Sequence, residues 1–249
     1  MEKQQYVCLV CGFNMVNSHP QRCPFCGAEK EHFITADVCS ARYKIVATPV
    51  NNKVTRLNSR PALGYEHAAF QIETGRGLCW IDCPSCFDPS VDPVETILFT
   101  HHHFLGASNL YRQEFGAGVH IHAGDALNEL CRFFTFDAVF TESFTHQGIE
   151  AFPVDGHTPG FTLYLFEDML FICDYVFLSD ARMKFNPYGP ADLTLIGGRR
   201  IEEILNGRKL ATVCGYNYVV DYATWWQKFS DLQPKQRSIQ QLTQRRREE

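Results

Sequence analysis

The stretch Thr96-Ile97-Leu98-Phe99-Thr100-His101-His102-His103-Phe104-Leu105-Gly106 decides the fold. Its first five residues are β-branched, aliphatic or aromatic, the types that suit a strand. The strand then runs straight into three histidines. Alternation puts His101 and His103 on one side and His102 on the other. Two imidazoles at i and i+2 can converge on a single metal ion.

Working outward, other chemistry-bearing residues also fall where apolar runs stop. Upstream, Leu78 to Asp82 reads as a short strand ending in a carboxylate. Downstream, Gly156-His157-Thr158-Pro159-Gly160 is a polar turn carrying another histidine, between β-like runs at Ile149 to Pro153 and Thr162 to Phe166. The run Leu170 to Cys173 then offers Asp174 at its end. Three histidines and an aspartate on strand-end loops are a credible ligand set for zinc or iron. The remaining expectations are strands at Tyr43 to Val50, Glu66 to Ile72, Val119 to His122 and Ala211 to Cys214. Helices are expected at Ala107 to Glu114, Asp125 to Arg132, Gly198 to Leu205 and Tyr222 to Phe229. Strands first, then strands alternating with helices, point to a layered α/β architecture.

The chain has 249 residues, of which 45% are hydrophobic, enough for a core and incompatible with wholesale disorder. No apolar run approaches the ~20 residues of a membrane span. The opening MEKQQYVC lacks the apolar stretch of a secretory signal, so a cytoplasmic or stromal location is expected. A net charge of −5 argues against a nucleic-acid partner. The segment 235–249 is polar and basic, and is expected to be a flexible tail.

Cysteines are too frequent to pass over: the chain has 11, and the first 26 residues hold Cys8, Cys11, Cys23 and Cys26. Without a secretion signal, such clusters read as metal or redox sites before disulfides. Cys8-Leu-Val-Cys11-Gly12 and Cys23-Pro-Phe-Cys26-Gly27 are two CxxC knuckles, each followed by a glycine free to adopt a left-handed turn. Together they supply four thiolates in a tetrahedron for one iron or zinc. A segment this short needs the metal as its staple. A third pair, Cys83-Pro84-Ser85-Cys86, has no second pair beside it and suits a dithiol couple, with metal binding or inert packing as alternatives. Cys39, Cys79, Cys131, Cys173 and Cys214 are expected as buried thiols, and His120 and His122 as locally hydrogen-bonded side chains.

The N-terminal segment resembles the rubredoxin-like domain of rubrerythrins, carried by Tyr6, Cys8 to Gly12, Cys23 to Ala28, Lys30 and Phe33. That resemblance implies a redox-active iron passing single electrons, and it favours iron over the zinc of a structural ribbon. The segment from Tyr43 to Leu232 resembles the metallo-β-lactamase fold, two sheets sandwiched between outer helices. The marks are the strand ending in Asp82, the turn Thr100 to His103, the turn Gly156 to Gly160 and the strand leading to Asp174. The expected domains are 1–37, rubredoxin-like, and 38–234, metallo-β-lactamase-like.

The second resemblance is incomplete. The family pattern HxHxDH here reads His101 to Gly106, with Leu105 and Gly106 where Asp and His are expected, or with two residues deleted. The C-terminal histidine of the family is replaced around Cys214-Gly215-Tyr216-Asn217. The resemblance therefore implies at most one iron or zinc, at His101, His103 and His157, beside the metal of the four cysteines. Asp174, which bridges two metals in the family, remains to orient or deprotonate a bound water. Tyr216 is a candidate proton donor or ligand, and Cys83 and Cys86 a candidate redox couple.

Three readings follow. A redox protein, an oxidoreductase served by a ferredoxin or reductase, is favoured because hydrolysis needs no electron-transfer module. A single-zinc hydrolase of a thioester, lactone or phosphoester is the second. A non-enzymatic protein that binds a cofactor or partner is the third. The small-molecule substrate is unknown, and a homodimer stays open.

Overall fold

A computed structural model describes residues 4–179 and 182–232, so the basic tail lies outside the described residues. The chain begins with a three-stranded antiparallel sheet of β1 (Gln5–Cys8), β2 (Asn14–Val16) and β3 (Phe33–Thr35), in the order β2-β1-β3. Helix α1 (Ala36–Arg42) follows directly, capped by the Thr35 hydroxyl, and spans the expected division after residue 37. The first unit thus passes into the second through a helix rather than a loose linker.

The larger unit holds two sheets. The first runs β10-β9-β8-β7-β6-β5-β4. Its strands are β4 (Lys44–Pro49), β5 (Val54–Arg60), β6 (Ala69–Glu73), β7 (Leu78–Ile81), β8 (Thr96–Leu98), β9 (Gly118–His122) and β10 (Ala138–Phe140). The second runs β11-β12-β13-β14-β17-β18. It contains β11 (Phe144–His146), β12 (Ile149–Pro153), β13 (Thr162–Phe166), β14 (Met169–Cys173), β17 (Thr212–Gly215) and β18 (Val219–Asp221). A separate hairpin, β15 (Val176–Leu178) with β16 (Met183–Phe185), leaves the end of β14. Helices α2 (Ser108–Phe115), α3 (Ala123–Ala126), α4 (Ala191–Leu205) and α5 (Tyr222–Ser230) complete the unit.

Side-chain alternation produces the layers. Phe70, Ile72, Ile81 and Leu98 from the first sheet meet Ala151, Tyr164, Phe166 and Phe171 from the second. Ile97, Phe99, Val119 and Ile121 point the other way, toward Leu110, Tyr111 and Phe115 of α2. On the far side Leu163, Leu165, Leu170 and Ile172 face Ile201 and Leu205 of α4 and Trp225 and Phe229 of α5. Helix, sheet, sheet, helix is the αββα sandwich the sequence leads one to expect. β13 and β14 are buried at every position, as strands covered on both faces must be. Among the described residues no helix is long and apolar enough to cross a membrane.

Most expected elements lie where the pattern puts them, with instructive differences. The strand at Val54–Arg60 has no apolar run to announce it, since Val54, Leu57 and Ser59 are its buried residues and polar or charged side chains fill the rest. The helix expected over Asp125 to Arg132 is broken into α3 and a 3₁₀ turn, because Asn128 caps the second piece through Leu130 N. Helix α4 starts seven residues before Gly198 and carries Gly197-Gly198 in its middle.

Candidate metal centres

The small unit gathers its four thiols as the spacing requires. Gly12 and Gly27 take φ of 83° and 76°, and each donates its N–H back to the first cysteine of its knuckle. Cys8 Sγ lies 3.8 Å from Cys26 Sγ, and Cys11 Sγ lies 3.7 Å from Cys23 Sγ. A tetrahedron of thiolates at metal–sulfur bonds of ~2.3 Å has edges of about 3.8 Å, so the cluster has the dimensions of a metal-S4 site. Phe13 N–H points at Cys11 Sγ at 3.4 Å. The thiols of Cys23 and Cys8, then burial, push Cys11 far above the ordinary thiol range. The four sulfurs cannot all be thiolates without a cation among them. Cys8, Cys11 and Cys23 are buried, and Cys26 is exposed.

The larger unit gathers His101, His103, His157 and Asp174, with one ligand atom from each lying within 4.8 Å of all the others. His101 Nε2 is 3.4 Å from Asp174 Oδ1, and His157 Nε2 is 3.6 Å from Asp174 Oδ2 and 3.1 Å from His103 Nδ1. The strands explain the convergence. β8, β12 and β14 all end at the same rim, and the turns that follow deliver the side chains.

Two hydrogen-bond chains hold this set. Thr100 Oγ1 lies 2.9 Å from both carboxylate oxygens of Asp82 and 2.9 Å from His101 Nδ1. The hydroxyl donates to Asp82 and accepts from Nδ1–H, which leaves the Nε2 lone pair aimed into the cluster. His102, turned away as alternation demands, meets Asp125 Oδ1 at 2.9 Å. Asp125 also accepts from Thr158 Oγ1 and Gly160 N–H, so one carboxylate clamps the two histidine turns together. Asn186 Nδ2 donates to Asp174 Oδ2 at 2.9 Å.

The electrostatics ask for a cation. Burial lowers the histidines, His103 to about 2 and His157 to about 4, so they are neutral and offer lone pairs. Burial, then the charge of Asp82, pushes Asp174 up to about 8. His101 Nε2 and Asp174 Oδ1 are buried and unpartnered although they face each other. Orphaned acceptors around one point are costly unless a metal takes them, so this donor set fits a bound metal ion.

His67 is a residue the sequence reading passed over. It comes from the β5–β6 connection, packs against Phe104 with ring centroids 3.7 Å apart and planes tilted by 35°, and joins Cys173 and Asp174 in a second group with ligand atoms within 4.8 Å. No motif marks it, since a lone histidine before an apolar run is ordinary. The expected buried thiols are buried, Cys173 among them, and His120 and His122 lie beside His146 and Thr141.

A cavity of about 870 Å³ opens over the cluster. Its walls include His67, His103, His157, Asp174 and Tyr216, together with Phe25 and Cys26 of the small unit. The Phe25 ring lies 5.6 Å from the His103 ring and 4.9 Å from that of Phe104. Cys83 and Cys86 do not line it. Cys83 belongs to the core beneath α2, and Cys86 packs with Val7, Cys39 and Leu63 where the two units meet. Burial raises both thiols, Cys86 to about 12.

Comparison with known proteins follows the same division. Residues 6–34 match the family model "Rubrerythrin, rubredoxin-like domain". A metallo-β-lactamase from Pontibacter korlensis superposes with a TM-score of 0.62 at 19% identity, over 75% of this chain and 98% of that one. The larger unit has the metallo-β-lactamase fold. A metallo-β-lactamase from Pseudomonas aeruginosa in its mono-zinc form superposes with a TM-score of 0.60 at 11% identity, over 86% and 96%. An archaeal metallo-β-lactamase superfamily protein from Sulfolobus tokodaii gives 0.51 at 15% identity, over 66% and 79%. No curated protein matches the chain in sequence.

Proposed function

We propose that the chain is an iron-dependent redox protein whose four-cysteine centre exchanges electrons with the metallo-β-lactamase-like site. One observation carries this reading: Phe25 and Cys26 line the same cavity as His103, His157 and Asp174. A structural ribbon could sit anywhere on the surface. Here the exposed thiolate of the cluster and its neighbouring aromatic ring face the candidate reaction site.

Iron at Cys8, Cys11, Cys23 and Cys26 would supply one-electron exchange, and a metal at His101, His103 and His157 would supply a coordination position for a small substrate. The chain's own residues do the rest. Thr100 and Asp125 hold the histidines in the orientation and tautomer that binding needs. Asp174, oriented by Asn186, is the group that accepts or returns a proton at its Oδ1. Burial, then Asp174 and Cys173, raises the phenol of Tyr216, which stays a neutral donor on the cavity wall. The electron donor is a ferredoxin or a reductase. Cys83 and Cys86 have no part in this reading, being buried away from the cavity.

The test is metal analysis with a visible spectrum, on protein purified anaerobically without added metal, beside Cys8→Ser and His103→Ala. The expected result is a red, dithionite-bleachable chromophore lost only in Cys8→Ser, and a further metal lost only in His103→Ala. Colourless protein with zinc at the cysteines would overturn the reading.

A single-metal hydrolase is the second reading, favoured by the structural likeness to metallo-β-lactamases, one of them in a mono-zinc form. Among the described residues no Lys or Arg lines the cavity, which favours a thioester or lactone over a phosphoester. This reading expects zinc-loaded protein to turn over such an ester, and His157→Ala to abolish the turnover.

A further inference from the structure

We propose that His67, Cys173 and Asp174 form a second metal site in the large unit, built from residues other than those missing at Leu105 and Gly106 and around Cys214 to Asn217. Along β14 the side chains alternate as a strand should: Met169 and Phe171 enter the inter-sheet core, Leu170 and Ile172 the core beneath α4 and α5. Continued alternation would send Cys173 back between the sheets. Instead Cys173 takes φ of 42°, the pairing with β17 shifts register, and the thiol falls on the same side as Ile172. A non-glycine residue in the left-handed region is strained, and it persists only where its surroundings hold it. The consequence is that two consecutive residues, Cys173 and Asp174, face one imidazole.

His67 Nδ1 lies 3.2 Å from Cys173 Sγ, and His67 Nε2 lies 3.8 Å from Asp174 Oδ2. The histidine is held in place by its ring contact with Phe104 and by the Ala68 N–H bond to Tyr216 O at 2.8 Å. All three residues are buried, and His67 and Asp174 also reach the cavity wall. A nitrogen, a sulfur and a carboxylate oxygen make a mixed donor set that suits zinc or ferrous iron over magnesium or calcium. Asp174 Oδ1 faces His101, and Oδ2 faces both His157 at 3.6 Å and His67 at 3.8 Å, so the one carboxylate reaches both positions. The inference needs a metal-competent Asp174, and it holds whether the chain is a redox protein or a hydrolase.

The full chain is stripped with a chelator, reloaded with cobalt(II), and its metal counted per chain by mass spectrometry. Wild type is compared with Cys173→Ser, His67→Asn and His157→Ala. His67→Asn keeps a carbonyl that can accept from the Cys173 thiol, so it removes a metal ligand while preserving a structural hydrogen bond. The expected result is one metal fewer in Cys173→Ser and in His67→Asn. In the difference spectrum of wild type minus Cys173→Ser, a thiolate-to-cobalt band remains after the bands of the four N-terminal cysteines cancel. A wild-type count of two metals per chain that falls to one in His157→Ala and stays at two in Cys173→Ser overturns the proposal. So does an unchanged count and an empty difference spectrum in a folded Cys173→Ser. An unchanged count in His157→Ala alone would instead refute the neighbouring three-histidine site.

Discussion

Thr100 is the residue on which the histidine cluster turns. Its hydroxyl joins a buried carboxylate, Asp82, to the ring nitrogen of His101 that faces away from the cluster. Removing such an outer partner of a metal-binding histidine typically costs 10–100-fold in affinity. Thr100→Val keeps the shape and loses the hydroxyl. We expect it to weaken metal binding at His101, His103 and His157 by roughly that factor and to leave the four-cysteine site unchanged, as read by competition with a chelator. Equal affinity in the variant would mean that Asp82 and Thr100 only brace the strand end. The candidate ligands His101, His103, His157 and Asp174, which the structure brings together, were legible as a group because they lie on the turns that follow apolar runs. His67 was not, because its partner Cys173 is 106 positions away and is turned toward it only by a local break in strand alternation.

Helix α4 shows where element reading and packing part company. The sequence reads as a helix from Gly198 to Leu205. The structure instead carries the helix through Gly197 because nothing larger fits there. A Cβ on Gly197 would meet Tyr175 Oη at 2.3 Å and the carbonyl oxygens of Asp155 and Val154 at 2.8 and 2.9 Å. Those carbonyls begin the turn that carries His157. Gly197→Ala would gain about 1 kcal/mol of helix propensity. Overpacking of a filled site costs roughly 1–3 kcal/mol, and here two of the obstructing atoms are backbone. The expected outcome is a lower denaturation midpoint together with weaker metal binding at the histidine site. A variant more stable by the full propensity gain would show that the helix can slide away from Tyr175. Such close approaches leave no trace in hydrophobic periodicity, which explains why strand ends were easier to read than helix starts.

At the scale of the whole molecule, both units were legible from their cysteine knuckles and strand-end motifs, but their docking was not. The seat of the small unit is the third CxxC loop. Asn14 Nδ2 donates to Ser85 O at 2.9 Å, across 71 positions of sequence, and Val7 packs with Leu63, Cys39 and Cys86. The pair that looks like a redox couple in sequence thus brackets an interface. This arrangement makes the cysteine metal responsible for more than its own site. Below about 40 residues a chain segment rarely holds a fold without a staple, so stripping that metal should unfold the small unit and bare its seat. In metal-loaded protein Cys39 and Cys86 should resist an alkylating reagent, as should Cys79, Cys131 and Cys214, since all five are buried. After chelation, Cys86 and Cys39 should label along with Cys8, Cys11, Cys23 and Cys26, while Cys79, Cys131 and Cys214 stay protected in the larger unit. Peptide mass spectrometry reads each thiol separately. If Cys86 remained protected once the four N-terminal thiols had reacted, the small unit would be staying docked without its metal. The β2-β1-β3 sheet and its contacts with Leu63 and Ser85 would then be sufficient to hold it.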